Sequence, residues 1–292
     1  MVKKILISIL IVLTMFSLLF LSCKDSTSTE VSDEIQTGEE SVPQESEKID
    51  DTGEESVEAE TDDTDGKEES EGGQDIAEAA EEEIEEGGLA KEGEVTFMTE
   101  DNIELNGNIF GSGNKWVILS HMFPTDQTSW FEFAEILKED GYIILTYDFR
   151  GYGKSGGSKD VSKLDIDLAA ALAYIKQYDP ELIYLMGASM GGTASLVLAS
   201  EERIDGVISF SSPDEFEGIS AISVIGDIVA GKLFIASQGD EDAARSATEM
   251  YEKSMEPKQL EILEGDSHGT FIFEEEPENA EKLKEIVLFF LY

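Results

Sequence analysis

The stretch Leu182-Ile-Tyr-Leu-Met-Gly-Ala-Ser-Met-Gly-Gly192 decides how the rest of this chain is read. Its first five residues are an apolar run of strand length, and Thr193-Ala-Ser-Leu-Val-Leu-Ala-Ser200 reads as a small-residue helix able to pack close to a sheet. Between them lies a Gly-x-Ser-x-Gly turn. Because neither Gly187 nor Gly191 has a side chain to collide with its neighbours, Ser189 can occupy a sharply turned, strained backbone that lifts its hydroxyl clear of the sheet. The same turn aims the Met190 amide, at the start of the helix, toward the place where negative charge develops on an attacked carbonyl. The spacing nominates Ser189 as a nucleophile. A glycine-rich turn with an incidental serine is the alternative that the pentapeptide alone leaves open.

Working outward, the pattern from residue 95 onward alternates strand and helix. Val95 to Met98, Ile103 to Phe110 and Trp116 to Ser120 read as strands separated by Asp-Asn and Gly-Ser-Gly-Asn turns. Thr128 to Asp140 places Trp130, Phe133, Ala134 and Leu137 at helical spacing, and Asp140-Gly141 ends it. Tyr142 to Tyr147 is a strand, and Val161 to Tyr178 is a helix carrying Leu164, Leu168, Leu172 and Ile175. Further strands are expected at 206–210, 232–237 and 259–263, with helices at 241–254 and 277–291. Ile219 to Val229 is short and apolar and reads as one helix flanking the site. Short antiparallel strands followed by strand-helix alternation specify one α/β domain with a mostly parallel central sheet and helices on both faces.

Charge divides the chain further. The formal net charge is −45 over 292 residues, and residues 24–94 hold 29 Asp and Glu against four Lys. That segment is nearly devoid of aromatic residues and cannot bury enough apolar surface to offset chain entropy, so it reads as a disordered acidic tether. At roughly 5–6 Å times the square root of its length, it would span about 45 Å. Residues 1–23 carry Lys3-Lys4, an apolar stretch from Ile5 to Leu21, and then Ser22-Cys23, the pattern of a secretory signal. The single cysteine, Cys23, resembles the lipid-modified cysteine of bacterial lipoproteins. This implies a membrane-anchored, extracytoplasmic protein of the bacterial cell envelope. The expected organisation is 1–23 signal, 24–94 tether and 95–292 catalytic domain.

Residues 95–292 resemble the α/β-hydrolase superfamily across essentially their whole length. Besides Gly187-Ala-Ser-Met-Gly191, Ser120-His-Met-Phe-Pro124 is similar to the family's oxyanion loop. Tyr147-Asp-Phe-Arg-Gly-Tyr-Gly-Lys-Ser155 matches the loop after the fourth strand. Ser237-Gln-Gly-Asp240 and Gly265-Asp-Ser-His-Gly269 follow late strands in the order nucleophile, acid, base. The resemblance implies an α/β-hydrolase fold without a large cap domain, and hydrolysis through an acyl-serine. Of the two histidines, His268 is the expected base, while His121 shapes the oxyanion loop without transferring protons. Asp240 aligns best as the acid, with Asp242 and Asp214 as alternatives. The oxyanion donors are the backbone N–H groups of Met190 and, by resemblance, Phe123. Met122 stands where the family usually has glycine, and a Cβ there is expected to demand a different backbone angle. Asp148 and Arg150 are expected to brace their loop as a charge-assisted pair.

No Cys/His cluster has metal-ligand spacing, and neither a phosphate loop nor a dinucleotide fingerprint is present, so no metal or organic cofactor is expected. The acidic body disfavours nucleic acid and anionic substrates. The sequence therefore points to a membrane-tethered serine hydrolase of small carboxylic esters. An aminopeptidase or dipeptidyl-peptidase-like hydrolase, and a non-catalytic binding lipoprotein on the same fold, are the other two readings.

Overall fold

A computed structural model describes residues 90–292; the signal, Cys23 and the acidic tether lie outside the described residues. Ten strands are described: β1 (Gly93–Met98), β2 (Glu104–Phe110), β3 (Lys115–Ser120), β4 (Ile143–Tyr147), β5 (Leu182–Ala188), β6 (Gly206–Phe210), β7 (Glu215–Phe216), β8 (Ile219–Ser220), β9 (Gly231–Ser237) and β10 (Lys258–Leu263). Six helices accompany them: α1 (Phe131–Glu139), α2 (Leu164–Lys176), α3 (Met190–Glu201), α4 (Glu241–Lys253), α5 (Phe271–Glu274) and α6 (Pro277–Leu291). Eight strands form one sheet in the order β1-β2-β4-β3-β5-β6-β9-β10. From β4 to β10 all pairs are parallel; β1 and β2 form an antiparallel edge.

The near-continuous apolar runs of the central strands follow from helices covering both faces of the sheet. Along β3, Trp116 and Ile118 join the core under α2 and α3, whereas Val117 and Leu119 join the core under α1 and α6. This alternation comes from the two-residue side-chain period of a strand. The sharp stop of α1 is also local in origin. Gly141, at φ 89°, lets its own N–H reach Lys138 O at 3.0 Å and the Tyr142 N–H reach Leu137 O at 3.1 Å, closing the last turn.

One expectation fails between β6 and β9. Residues 219–229 do not form a helix: β7 and β8 make a small antiparallel hairpin, followed by a single 3-10 turn at Ile225–Asp227. Of the buried positions, Ala221, Ile225 and Ile228 keep i, i+4, i+7 spacing, but Ile219, two residues before Ala221, is off that face. Gly226 and the β-branched neighbours also lower helix propensity. The segment packs into the core with α3. Among the described residues, no helix is long and apolar enough to cross a membrane.

Helix α3 begins unusually close to the β3 strand end. A Cβ on Gly191 would overlap Ser120 O and lie 2.6 Å from His121 O. Gly191→Ala should therefore lower stability by about 1–3 kcal/mol or more. Gly226→Ala, where a Cβ meets nothing within 4 Å, should stay within about 0.5 kcal/mol of the parent. Urea unfolding of the two variants checks this, and equal midpoints would contradict the close approach.

Candidate active site

Ser189 connects β5 to α3 at φ 49° and ψ −120° and is half-buried. A non-glycine residue in this region costs on the order of 1–3 kcal/mol and persists only where its surroundings over-determine it. Those surroundings are specific. The Ser189 N–H donates to Phe210 O of β6 at 2.8 Å, and Gly192 and Thr193 both donate back to Ser189 O at 3.0 Å. A Cβ on Gly187 would fall inside the Gly191 peptide, and one on Gly192 would overlap Ser212 Oγ. The Gly-x-Ser-x-Gly spacing is thus a close-approach requirement at each glycine.

His121 is fully buried at the end of β3. The Phe149 N–H donates to its Nε2 at 3.1 Å, which leaves Nδ1 as the protonated nitrogen, donating to Met122 O at 2.9 Å. Thr125 Oγ1 donates to the same carbonyl at 3.0 Å. Across a trans peptide the N–H points opposite to the C=O, so two bonds on Met122 O turn the Phe123 N–H to the other side of the loop. Among the described residues nothing accepts from the backbone N–H of Phe123 or of Met190. Met190 is the first residue of α3, where the N–H is an orphan donor on the positive end of the helix dipole. With α3 packed against the Ser120 and His121 carbonyls, these two free donors belong to one corner of the domain.

Met122 takes an ordinary backbone angle. It is absent from the residues at positive φ, so its Cβ imposes no left-handed strain. Its side chain is fully buried, with the sulfur accepting from Thr270 Oγ1 at 3.9 Å. The sulfur also occupies the space beside Gly269 that a Cβ there would need. Met122 therefore packs the loop after β3 against the loop that carries His268.

His268 Nδ1 lies 2.6 Å from Asp240 Oδ2. The loops after β9 and β10 are laced together by Gln238 N–H to Leu263 O and Gly239 N–H to Gly265 O, both 2.8 Å, which extends the parallel pairing past the strand ends. Of the alternative acids, Asp242 is solvent-facing and paired with Arg245 at 2.8 Å, and Asp214 accepts from Ser246 Oγ at 3.2 Å. Neither contacts His268. Among the described residues no hydrogen bond joins Ser189 Oγ to His268. The two loops meet one residue away: a Cβ on Gly269 would come within 3.4 Å of Ala188 Cβ.

Two bracing groups were not legible in the sequence. Glu276, just before α6, accepts from the Asp266 and Ser267 N–H groups at 3.2 Å and so holds the His268 loop from outside. Gln127 sits buried among Asp148, Asn106 and Thr146, donating and accepting at 2.9–3.0 Å. Asp148 and Arg150 do brace their loop, but through other partners. Asp148 accepts from Gln127 and from the Lys154 N–H, while Arg150 lies between Asp101 at 2.7 Å and Asp167 at 2.7 Å. Among the described residues no group of His, Cys, Asp and Glu is arranged to hold a metal ion.

Burial holds the His121 pKa below its ordinary value of 6.5. Because the folded value is the lower one, the unfolded chain takes up the proton first as pH falls below about 6.5. Stability is then complete above that pH and declines as pH falls toward the folded pKa. Urea unfolding at pH 7.5 and pH 5.5 should show a loss in the parent that is smaller in His121→Gln. Equal losses in both would contradict a buried neutral imidazole.

Residues 115–227 match the family model described as alpha/beta hydrolase fold. A curated relative, the 2-hydroxy-6-oxononadienedioate/2-hydroxy-6-oxononatrienedioate hydrolase of Escherichia coli, is 28% identical over 136 residues, covering 41% of this chain and 47% of the relative. The chain thus spans about half the length of the curated relatives it matches. Among solved structures, an esterase of Pyrococcus furiosus superposes with a TM-score of 0.60 at 21% identity, over 69% of this chain and 93% of the esterase. An enol-lactonase from Burkholderia xenovorans gives a TM-score of 0.56 at 17% identity, over 67% and 99% of the two chains. By its architecture and by the match over residues 115–227, this chain has the α/β-hydrolase fold.

Proposed function

We propose that the protein is a serine hydrolase of small carboxylic esters, tethered outside the cytoplasm to a membrane through a lipid-modified Cys23. Ser189 Oγ attacks the ester carbonyl while His268 Nε2 takes its proton. Asp240, on Nδ1, orients the ring and stabilises the imidazolium. The tetrahedral oxyanion accepts from the Phe123 and Met190 N–H groups. His268 returns the proton to the departing alkoxide, leaving acyl-Ser189 and free alcohol. Water, deprotonated by His268, then attacks the acyl group and releases the acid and Ser189.

The observation that carries this reading is the 2.6 Å contact between His268 Nδ1 and Asp240 Oδ2, on a loop that meets the Ser189 turn through Gly269. Only the small hairpin and one 3-10 turn intervene between β6 and β9, which favours unhindered acyl substrates over ones needing a cap. The relative acting on a dioate and the esterase and lactonase structures agree with hydrolysis as the reaction type.

Turnover of p-nitrophenyl esters should fall by about four orders of magnitude or more in Ser189→Ala and His268→Ala, and by about three to four in Asp240→Asn. Asp242→Asn and Asp214→Asn should stay near the parent. Retained activity in His268→Ala would contradict the mechanism. Faster cleavage of free-amine aminoacyl-anilides than of esters would move the function to an aminopeptidase.

Deleting residues 25–89 should leave soluble-ester turnover unchanged within about twofold, since a spacer stabilises no transition state. A large loss would make that segment part of the catalytic unit.

A further inference from the structure

The domain is acidic, and four of its lysines sit on carboxylates: Lys138 with Glu92, Lys154 with Glu94, Lys176 with Glu202 and Lys253 with Glu249. Lys115 and Lys258 each lie over one ring, whereas Lys159 lies over two. Its Nζ lies 4.1 Å from the ring centroid of Tyr152 and 5.8 Å from that of Phe123. Among the described residues no carboxylate lies within ion-pair distance of it. Its sequence neighbour Asp160 is engaged elsewhere, accepting from the Ser162 N–H and Oγ.

Two aromatic faces fix an ammonium without neutralising it. The rings that do so belong to the proposed oxyanion site. Phe123 is 59% exposed and carries one of the two free N–H donors, and the Tyr152 hydroxyl contacts Met190 Sδ, on the residue with the other donor, at 3.9 Å. The backbone of residues 158–159 is also fixed, because it packs directly on Gly151 at φ 71°, where a Cβ would collide with it.

We propose that Lys159 is a specificity-determining residue that binds a carboxylate on the acyl part of the substrate, making half-esters of short dicarboxylic acids the favoured class. The proposal rests on the oxyanion assignment above and deepens it. Backbone and ring dimensions put Phe123 N within about 5 Å of its own ring centroid, so the ammonium lies at most about 11 Å from the donor. A glutaryl chain, with a hydrogen bond at each end, bridges roughly 10–11 Å. The net charge of −45 repels anions at long range. That field decays over a Debye length of about 8 Å at physiological salt, so at contact distance the unpaired ammonium dominates.

The test has two parts. First, glutarate and neutral glutaramide are titrated calorimetrically into the Ser189→Ala protein, which reads recognition without turnover. Glutarate should bind about fivefold more tightly, a preference that Lys159→Gln abolishes, Lys159→Arg keeps and added salt weakens. Second, the kcat/KM ratio of mono-p-nitrophenyl glutarate to p-nitrophenyl valerate should fall about fivefold in Lys159→Gln. An unchanged preference for glutarate in Lys159→Gln, or none in the parent, overturns the proposal. A Lys159-dependent preference in a protein that hydrolyses neither ester supports the anion site while sinking the serine-hydrolase reading.

Discussion

Helix α3 can start where it does only because nothing but hydrogen projects from Gly187, Gly191 and Gly192. That contact brings the first turn of α3 against the carbonyls of Ser120 and His121 and presses the β5 strand end onto the same turn. The Ser189 backbone has no room to relax, and a hydrogen bond from β6 fixes its N–H. A strained residue is tolerable here because three neighbouring strands, β3, β5 and β6, all define its position. The same approach brings the free Met190 N–H to the corner shared with the Phe123 loop.

The loops around that corner are fixed by buried polar contacts more than by apolar packing. His121 works through one peptide: by holding Met122 O it determines where the Phe123 N–H points, and its own ring is set by Phe149. Gln127 and Asp148 tie the start of α1 to the loop after β4. Arg150 ties that loop to α2 through Asp167, whose side chain is completely buried. Truncating one partner of such a pair leaves an uncompensated charge, which is why its cost exceeds that of a surface bridge. Met122 adds a packing contact between the loop after β3 and the His268 loop, a role that glycine could not fill.

Much of this was legible in the sequence because the signals are local. Apolar runs gave the strands, Asp140-Gly141 gave the end of α1, and the resemblance to α/β-hydrolases favoured His268 and, over Asp242 and Asp214, Asp240, which the structure brings to 2.6 Å from His268. What was missed depends on tertiary contacts. A glutamate before a proline carries no sign that it will hold the 266–267 amides ten residues upstream, as Glu276 does. Arg150 looked like a partner for Asp148 because they are two apart, yet its charge is met by Asp101 and Asp167 from distant segments. Residues 219–229 misled through composition, since a short apolar stretch describes a buried hairpin and 3-10 turn as well as it describes a helix.

The proposed acyl-serine route would make Ser189 the one side chain that becomes covalently modified, with His268 as the group that makes it reactive. Intact-mass measurement after exposure to a fluorophosphonate addresses this directly on the 90–292 domain. The account predicts a single adduct on the parent, absent from Ser189→Ala and strongly slowed in His268→Ala. A correctly folded parent that acquires no adduct, or one whose adduct survives Ser189→Ala, would contradict it.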